Sequence, residues 1–212
     1  FAGLGAALAF SFTSTLFTLA GRKLGASTIL ALSMPISSVV LMIVHWITFG
    51  EVIPASASLD RWFFLGISSV IGFVIGSTFL LRAFQYIGPR LSLLIGSLAP
   101  ILSAILARIF LDQALPPNSV LGITVIIFGI VWVVSEGGTQ KITDVNPNYR
   151  KGLLFALFAA LGQAFSFVFM SQGVAGDFSA MSGGLIRAMV ASVTLWLMFA
   201  VQGQLHRNLR VI

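Results

Sequence analysis

The most constraining feature of the chain is a series of long apolar runs, each close to the length that a helix needs to cross a bilayer. A membrane-spanning helix requires roughly 20 consecutive apolar residues. The apolar runs are separated by short polar, glycine-containing or proline-containing segments, and they cover approximately residues 2–20, 28–49, 61–87, 91–111, 119–135, 152–172 and 181–201. Because the runs are apolar throughout and do not alternate, they predict helices and not the strands of a membrane barrel.

The charge content supports the same interpretation. Only 8% of the residues are charged, whereas a water-soluble domain carries about 25%. The net charge of +6 does not indicate a nucleic-acid partner, because the basic residues lie mainly between the apolar runs. In that position they are typical of topology signals and contacts with lipid headgroups. We therefore predict an all-α fold, a polytopic transmembrane helical bundle located in the cell membrane.

The chain has few side chains that could bind a metal or take part in catalysis. The chain has no cysteine and two histidines, His45 and His206, so we expect neither a metal nor another cofactor. All six acidic residues lie in predicted loops or at predicted helix ends. No acid, base and metal ligand are therefore predicted at one depth in the membrane, as a membrane-embedded enzyme requires. We expect that the protein is not an enzyme.

A polar stretch at residues 136–151 divides the chain into two similar patterns. A Gly-Leu pair, an apolar helix, a short loop and a second helix follow one another both from Gly3 and from Gly152. This predicts a five-helix repeat at 1–135, a polar linker at 136–151 and the first two helices of a second repeat at 152–212. Because five is odd, the second repeat would enter the membrane from the opposite side and form an inverted repeat.

The stretch from Trp62 to Ser135 resembles the EamA family of the drug/metabolite transporter superfamily. The resemblance is carried by the motifs at residues 81–88 (LRAFQYIG), 97–100 (SLAP), 107–113 (ARIFLDQ), 121–122 (LG) and 128–130 (FGI). The family usually has Gly-Glu where this chain has Asp112-Gln113, which is a mild departure.

This resemblance implies a carrier with ten helices in two five-helix repeats and a central cavity between them. The chain would supply seven of the ten, with about three more expected beyond Ile212 and a truncated N-terminus before Phe1. The expected function is export or exchange of a small metabolite by alternating access, with the metabolite and the lipid bilayer as the partners. The alternative is an integral membrane subunit that does not itself transport.

Five polar residues in the predicted helices are candidates for contacting the substrate: Arg82, Gln163, Ser77, Ser97 and Ser14. Polar groups in mid-membrane are costly and usually face a cavity or a partner. An interhelical hydrogen bond is an equal alternative for Gln163. Arg82 lies close to Gln85 and Tyr86 and would suit a carboxylate or phosphate. Serine hydroxyls more commonly bond their own helix backbone.

Other residues are assigned structural roles. Pro100, near the middle of the fourth run, is predicted to produce a kink or hinge with Gly96, whose carbonyl would lose its partner. The pairs Gly72/Gly76 and Gly122/Gly129 are predicted to let helices approach closely. His45 is expected to be structural. Arg187 could contact an anionic substrate in the cavity or snorkel to the headgroups, and for both Arg187 and Arg108 we expect snorkelling.

Overall fold

A computed structural model describes residues 11–17, 19, 26–112, 117–137 and 148–201. The described part is helical almost throughout and contains no strand, which confirms the all-α class. Residues 11–17 and 19 are helical. The remaining helices are α1 (Ala26–Phe49), α2 (Leu59–Ser69), α3 (Ser77–Gly96), α4 (Ala99–Leu111), α5 (Pro117–Gly137), α6 (Tyr149–Gly173) and α7 (Ala180–Val201), and a π-helical segment, Val70–Gly76, joins α2 to α3.

Four helical stretches are long and apolar enough to cross a membrane: Thr28–Phe49, Leu59–Gly96, Tyr149–Gly173 and Ala180–Val201. Ala99–Leu111 and Asn118–Gly129 are shorter apolar helices. Large apolar side chains cover the exposed faces, as at Ile47 (75% exposed), Val125 (69%) and Phe128 (71%). A water-soluble protein rarely exposes apolar surface on this scale. The chain is therefore a multi-pass helical membrane protein.

The helix boundaries differ from the predicted ones between residues 61 and 111. The predicted break at Gly88 is present, with φ 76° and ψ 165°, a conformation that is essentially restricted to glycine. Helical structure resumes at Pro89 and ends at Gly96, so the predicted helix 91–111 is divided. A turn at Ser97 and Leu98 separates α3 from α4.

The predicted linker at 136–151 is also shorter than expected at both ends. Helix α5 continues through Gly137, and α6 already begins at Tyr149. Residues 138–147 lie outside the described part, as does most of the first predicted span, 2–20.

The contacts define two compact units. The first contains residues of Phe1–Lys23 and Phe79–Ala164. Its core is formed by Ala83, Ile95 and Ala156. Helix α6 packs against Tyr86 and Ile87 at Gly152. The approach is so close that a Cβ atom on Gly152 would lie 2.5 Å from Ile87 Cγ2.

The second unit contains residues of Leu24–Thr78 and Phe165–Ile212, and helix α7 is central to it. Helix α7 packs against α1, α2 and the π-helical segment. Hydrogen bonds tie α1 to α7. Trp196 Nε1 donates to the Ala31 carbonyl at 3.1 Å, the Ser38 and Ser192 hydroxyls lie 2.9 Å apart, and His45 Nε2 lies 2.9 Å from Ser182 Oγ. The units are defined by contacts and not by sequence repetition, so the repeat boundaries at 136–151 stay a prediction.

Candidate functional site

Gln163 lies near the middle of membrane-spanning helix α6, in the first unit. The residue is half-buried, but its Oε1 atom is fully buried and has no hydrogen-bond partner among the described residues. An unsatisfied amide oxygen costs about 1–3 kcal/mol. The predicted interhelical hydrogen bond to this oxygen is therefore not observed. A buried acceptor without a partner can receive a hydrogen bond from a ligand.

Arg82 lies on an exposed face of α3 beside an aromatic group of the first unit. Its guanidinium carbon is 5.8 Å from the centre of the Phe155 ring. The rings of Phe79 and Tyr86 stack on Phe155 at 5.8 and 5.7 Å. Aromatic faces attract cations, so the group holds Arg82 in place while its charge stays accessible.

The three candidate serines all bond backbone carbonyls three to five residues earlier in the chain. Ser14 is buried and donates to the Ser11 carbonyl at 2.8 Å. Ser97 donates to Leu94 at 2.6 Å, and Ser77 donates to Gly72 at 3.3 Å. This is the common behaviour of serine in membrane helices. Among the described residues, no hydrogen bond joins Arg82, Gln163 and Ser97 to one another.

Pro100 occupies the first turn of α4 and not the middle of a helix. A proline is tolerated there because the amide groups of a first turn have no helical acceptor. The Ser97 amide bonds the Leu93 carbonyl at 2.9 Å and the Leu98 amide bonds Ile95 at 3.0 Å. Gly96 is thus the last residue of α3, and the chain changes helix where a kink was expected. Whether this turn acts as a hinge stays a prediction.

The glycine pairs divide into buried and exposed ones. Gly72 and Gly76 are buried within the π-helical segment. Gly122 and Gly129 are exposed, and no described atom lies within 4 Å of where their Cβ atoms would be. Their packing role stays a prediction. Close approaches at a glycine are found at Gly152, Gly173 and Gly183, which sequence spacing did not indicate.

Arg187 is buried in α7, with 5% of its surface exposed, so the prediction that it snorkels was wrong. Its Nη1 donates to Met170 Sδ and its Nη2 to Ser166 Oγ, both at 2.9 Å. The guanidinium carbon lies 4.4 Å from the centre of the Phe73 ring. Arg187 lies seven residues into α7, roughly 10 Å from its start. Its depth alone did not decide between snorkelling and burial. By contrast, Arg108 is exposed at the end of α4 and pairs with Asp112 at 2.6 Å.

His45 is also buried in the second unit, at 2% exposure. Its Nδ1 lies 2.6 Å from the Glu51 carbonyl oxygen and its Nε2 lies 2.9 Å from Ser182 Oγ. Because a carbonyl only accepts, Nδ1 carries a proton, and in the neutral ring Nε2 accepts from Ser182. Nearby, a polar pocket is lined by Glu51, Asp177 and their neighbours. In the described residues, no group of three or more acidic or histidine side chains suits a metal ion.

Comparison with known proteins gives one family and one curated relative. The model of the EamA-like transporter family matches residues 1–135. An uncharacterized transporter of Bacillus subtilis (strain 168), YyaM, is 29% identical over 171 residues, which cover 74% of this chain and 54% of YyaM. The chain thus spans about half the length of this relative. No solved structure matches the chain.

Proposed function

Because the chain belongs to the EamA-like transporter family, we propose that it carries a small metabolite across the cell membrane by alternating access. The chain is a multi-pass membrane protein of this family, and the proposal adds the transport activity, its mechanism and the type of cargo. In this mechanism a site near the middle of the membrane opens to each side in turn. Two inverted five-helix repeats would rock about that site.

The observation that carries the proposal is the unsatisfied Oε1 of Gln163. It is buried near the middle of a 25-residue apolar helix and lacks a partner among the described residues. Polar groups at membrane depth are expensive and are most often functional. A substrate hydroxyl, amine or amide that donates to Oε1 would remove the cost, so Gln163 is the residue we assign to substrate contact.

Arg82 and its aromatic neighbours provide a second contact in the same unit. Along α6, Phe155 precedes Gln163 by eight residues, which is roughly 12 Å. A small metabolite of that length would contact Gln163 at one end and the Arg82–Phe155 pair at the other. An aromatic wall with a few polar groups is the usual composition of a small-molecule site.

The test is counterflow by the full-length protein in proteoliposomes. Vesicles are preloaded with an unlabelled amino acid, nucleoside, sugar phosphate or organic cation, and entry of the same labelled compound is followed. We expect saturable accumulation for one class. Folded protein that carries none of the compounds would favour the alternative, a subunit without transport activity of its own.

Two glutamines on α6 form a matched pair for testing the site. Gln163→Leu removes the buried amide, whereas Gln172→Leu changes an exposed glutamine near the end of the same helix. We expect Gln163→Leu to lower counterflow by about tenfold, the effect of losing one buried hydrogen bond to substrate. Gln172→Leu should retain wild-type rates. Equal rates in both variants would remove Gln163 from the site.

A further inference from the structure

The second unit holds an arginine that is buried in a membrane-spanning helix without an acidic partner. We propose that Arg187 binds a small-molecule anion, a carboxylate or a phosphate, at a site within the second unit. The inference goes beyond the proposed function, whose contacts lie in the first unit. Sequence reasoning left Arg187 between contact with an anionic substrate and contact with lipid headgroups, and it favoured the headgroups.

The hydrogen-bond partners of Arg187 are weak for a buried cation. A guanidinium has five N–H donors and remains protonated in proteins. One donor is directed at the thioether of Met170 and one at the hydroxyl of Ser166. The Nε atom is buried and has no partner among the described residues. A thioether is a weak acceptor. The positive charge is therefore poorly compensated, and the Nε–H donor has no acceptor among the described residues.

No described carboxylate compensates this charge. The ion pair that the described residues contain, Arg108 with Asp112, belongs to the first unit. In the second unit, Glu51 and Asp177 line the polar pocket near His45 and make no ion pair with Arg187 in the described structure. A buried charge is normally paired. An arginine that is buried without a counter-ion is therefore suited to a ligand that supplies one.

Neighbouring hydroxyl groups hold Arg187 in a fixed position. Ser69 Oγ donates to the Arg187 carbonyl at 2.5 Å. Ser166 Oγ donates to the Ser68 carbonyl at 2.7 Å, so its lone pairs are directed to Arg187 Nη2. Ser68 Oγ in turn donates to the Ser166 carbonyl at 2.8 Å. This bonding fixes the backbone of Arg187 and the position of its Nη2 before a ligand arrives, which lowers the entropic cost of binding.

Phe73 covers one face of the guanidinium and belongs to the π-helical segment Val70–Gly76. Such segments interrupt the regular hydrogen bonding of a helix and occur frequently at functional sites. Because Arg187 is 5% exposed, an anion reaches Nε only when this packing opens. Displacement of the Phe73 ring and of Met170 Sδ would give a carboxylate or phosphate the two parallel N–H groups that it prefers.

The test measures anion-dependent stability of the full-length protein in nanodiscs. Thermal unfolding is recorded in sodium phosphate, succinate or acetate, in chloride at the same ionic strength, and with added glucose as a neutral probe. We expect phosphate or a carboxylate to raise the unfolding temperature of the wild type. In Arg187→Met we expect the apparent anion affinity to fall at least about tenfold. Arg187→Lys keeps the positive charge but loses the paired N–H donors of the guanidinium, so it should retain part of the anion affinity.

The same variants separate binding from a purely structural role. An unpaired buried charge carries a desolvation cost that an apolar side chain of similar length does not. We therefore expect Arg187→Met in chloride to unfold at or above the wild-type temperature, whereas a structural arginine would give a lower temperature. Arg61→Met is the matched control, because Arg61 also lies over an aromatic ring and donates to the Gly173 carbonyl. It should keep the full anion response.

Several results would overturn the inference. They are an unchanged anion response in Arg187→Met, or a wild type that phosphate and carboxylates do not stabilise; the second result needs no variant to fold. Counterflow distinguishes this failure from failure of the proposed function. Saturable counterflow without an Arg187-dependent anion response would leave the proposed function intact and overturn the inference. An Arg187-dependent anion response without counterflow would support the inference and count against the proposed function.

Discussion

At the scale of single residues, the second unit contains buried polar groups of two kinds. His45 has a partner at each ring nitrogen, so its burial is fully compensated. Arg187 has weak partners at two nitrogens and none described at the third. A satisfied buried group stabilises the fold, whereas an unsatisfied one raises its free energy. The first therefore has a structural role and the second a role in binding.

The structural role of His45 gives a stability prediction. His45→Ala should lower the free energy of unfolding by about 2–4 kcal/mol, because it leaves the Glu51 carbonyl and the Ser182 hydroxyl without a partner and creates a cavity. Chemical unfolding in detergent measures the change. Thr48→Ala is the control on the same helix, since its exposed hydroxyl bonds only the Val44 carbonyl. A change below about 1 kcal/mol for His45→Ala would show that these bonds contribute little.

The sequence indicated how deep a polar residue lies in its helix, but it did not indicate which residues of other helices surround it. Gln163 could be placed near mid-membrane from the length of its apolar run alone. The burial of Arg187 could not be predicted, because it depends on which residues pack against α7. Phe73 is distant from Arg187 in sequence, and nothing in the sequence marks Ser166 and Met170 as neighbours of Arg187. Helical periodicity gives the depth and face of a side chain but not the helix that it meets.

At the scale of helices, the close contacts are made by glycines at helix ends. Gly173 at the end of α6 and Gly183 near the start of α7 both approach Leu65, whose side chain is fully buried. Spacing favoured Gly122 and Gly129, because they share one face of an apolar helix. The absence of a side chain permits close approach, but the sequence does not show where a second helix makes use of it.

Adding one methyl group tests the contact at Gly173. In Gly173→Ala the new Cβ would lie 2.5 Å from Leu65 Cγ, so α6 or α2 must shift. We expect a loss of about 1–3 kcal/mol in unfolding free energy, typical of overpacking. Gly122→Ala is the matched control, with open space at its Cβ position. It should be neutral or slightly stabilising, because alanine favours helix. A stable Gly173→Ala protein would contradict the tight packing.

The helix breaks show a similar limit of prediction. In the sequence, Gly88-Pro89 and Pro100 both indicated helix interruptions that the structure contains at or near these residues. The turn at Ser97 and Leu98 lies before Pro100 and not at it, because a proline in the first turn of a helix loses no hydrogen bond. The π-helical segment at Val70–Gly76 had no sequence signal, since its residues are as apolar as those of a regular helix.

At the scale of the whole molecule, the described helices account for an apolar exterior with few polar groups inside. The membrane class followed from composition, and the family followed from motifs in residues 62–135. Alternating access would require groups such as Gln163 to meet solvent on both sides of the membrane. A subunit without transport activity would keep them closed to at least one side.

The absence of cysteine from the chain makes a direct measurement of alternating access possible. A single cysteine replaces Gln163 in the full-length protein on a cysteine-free background, and a membrane-impermeant maleimide is applied to right-side-out and to inside-out vesicles. The account predicts labelling from both sides and protection by the transported compound. Labelling from one side only, or from neither side in folded protein, would contradict it.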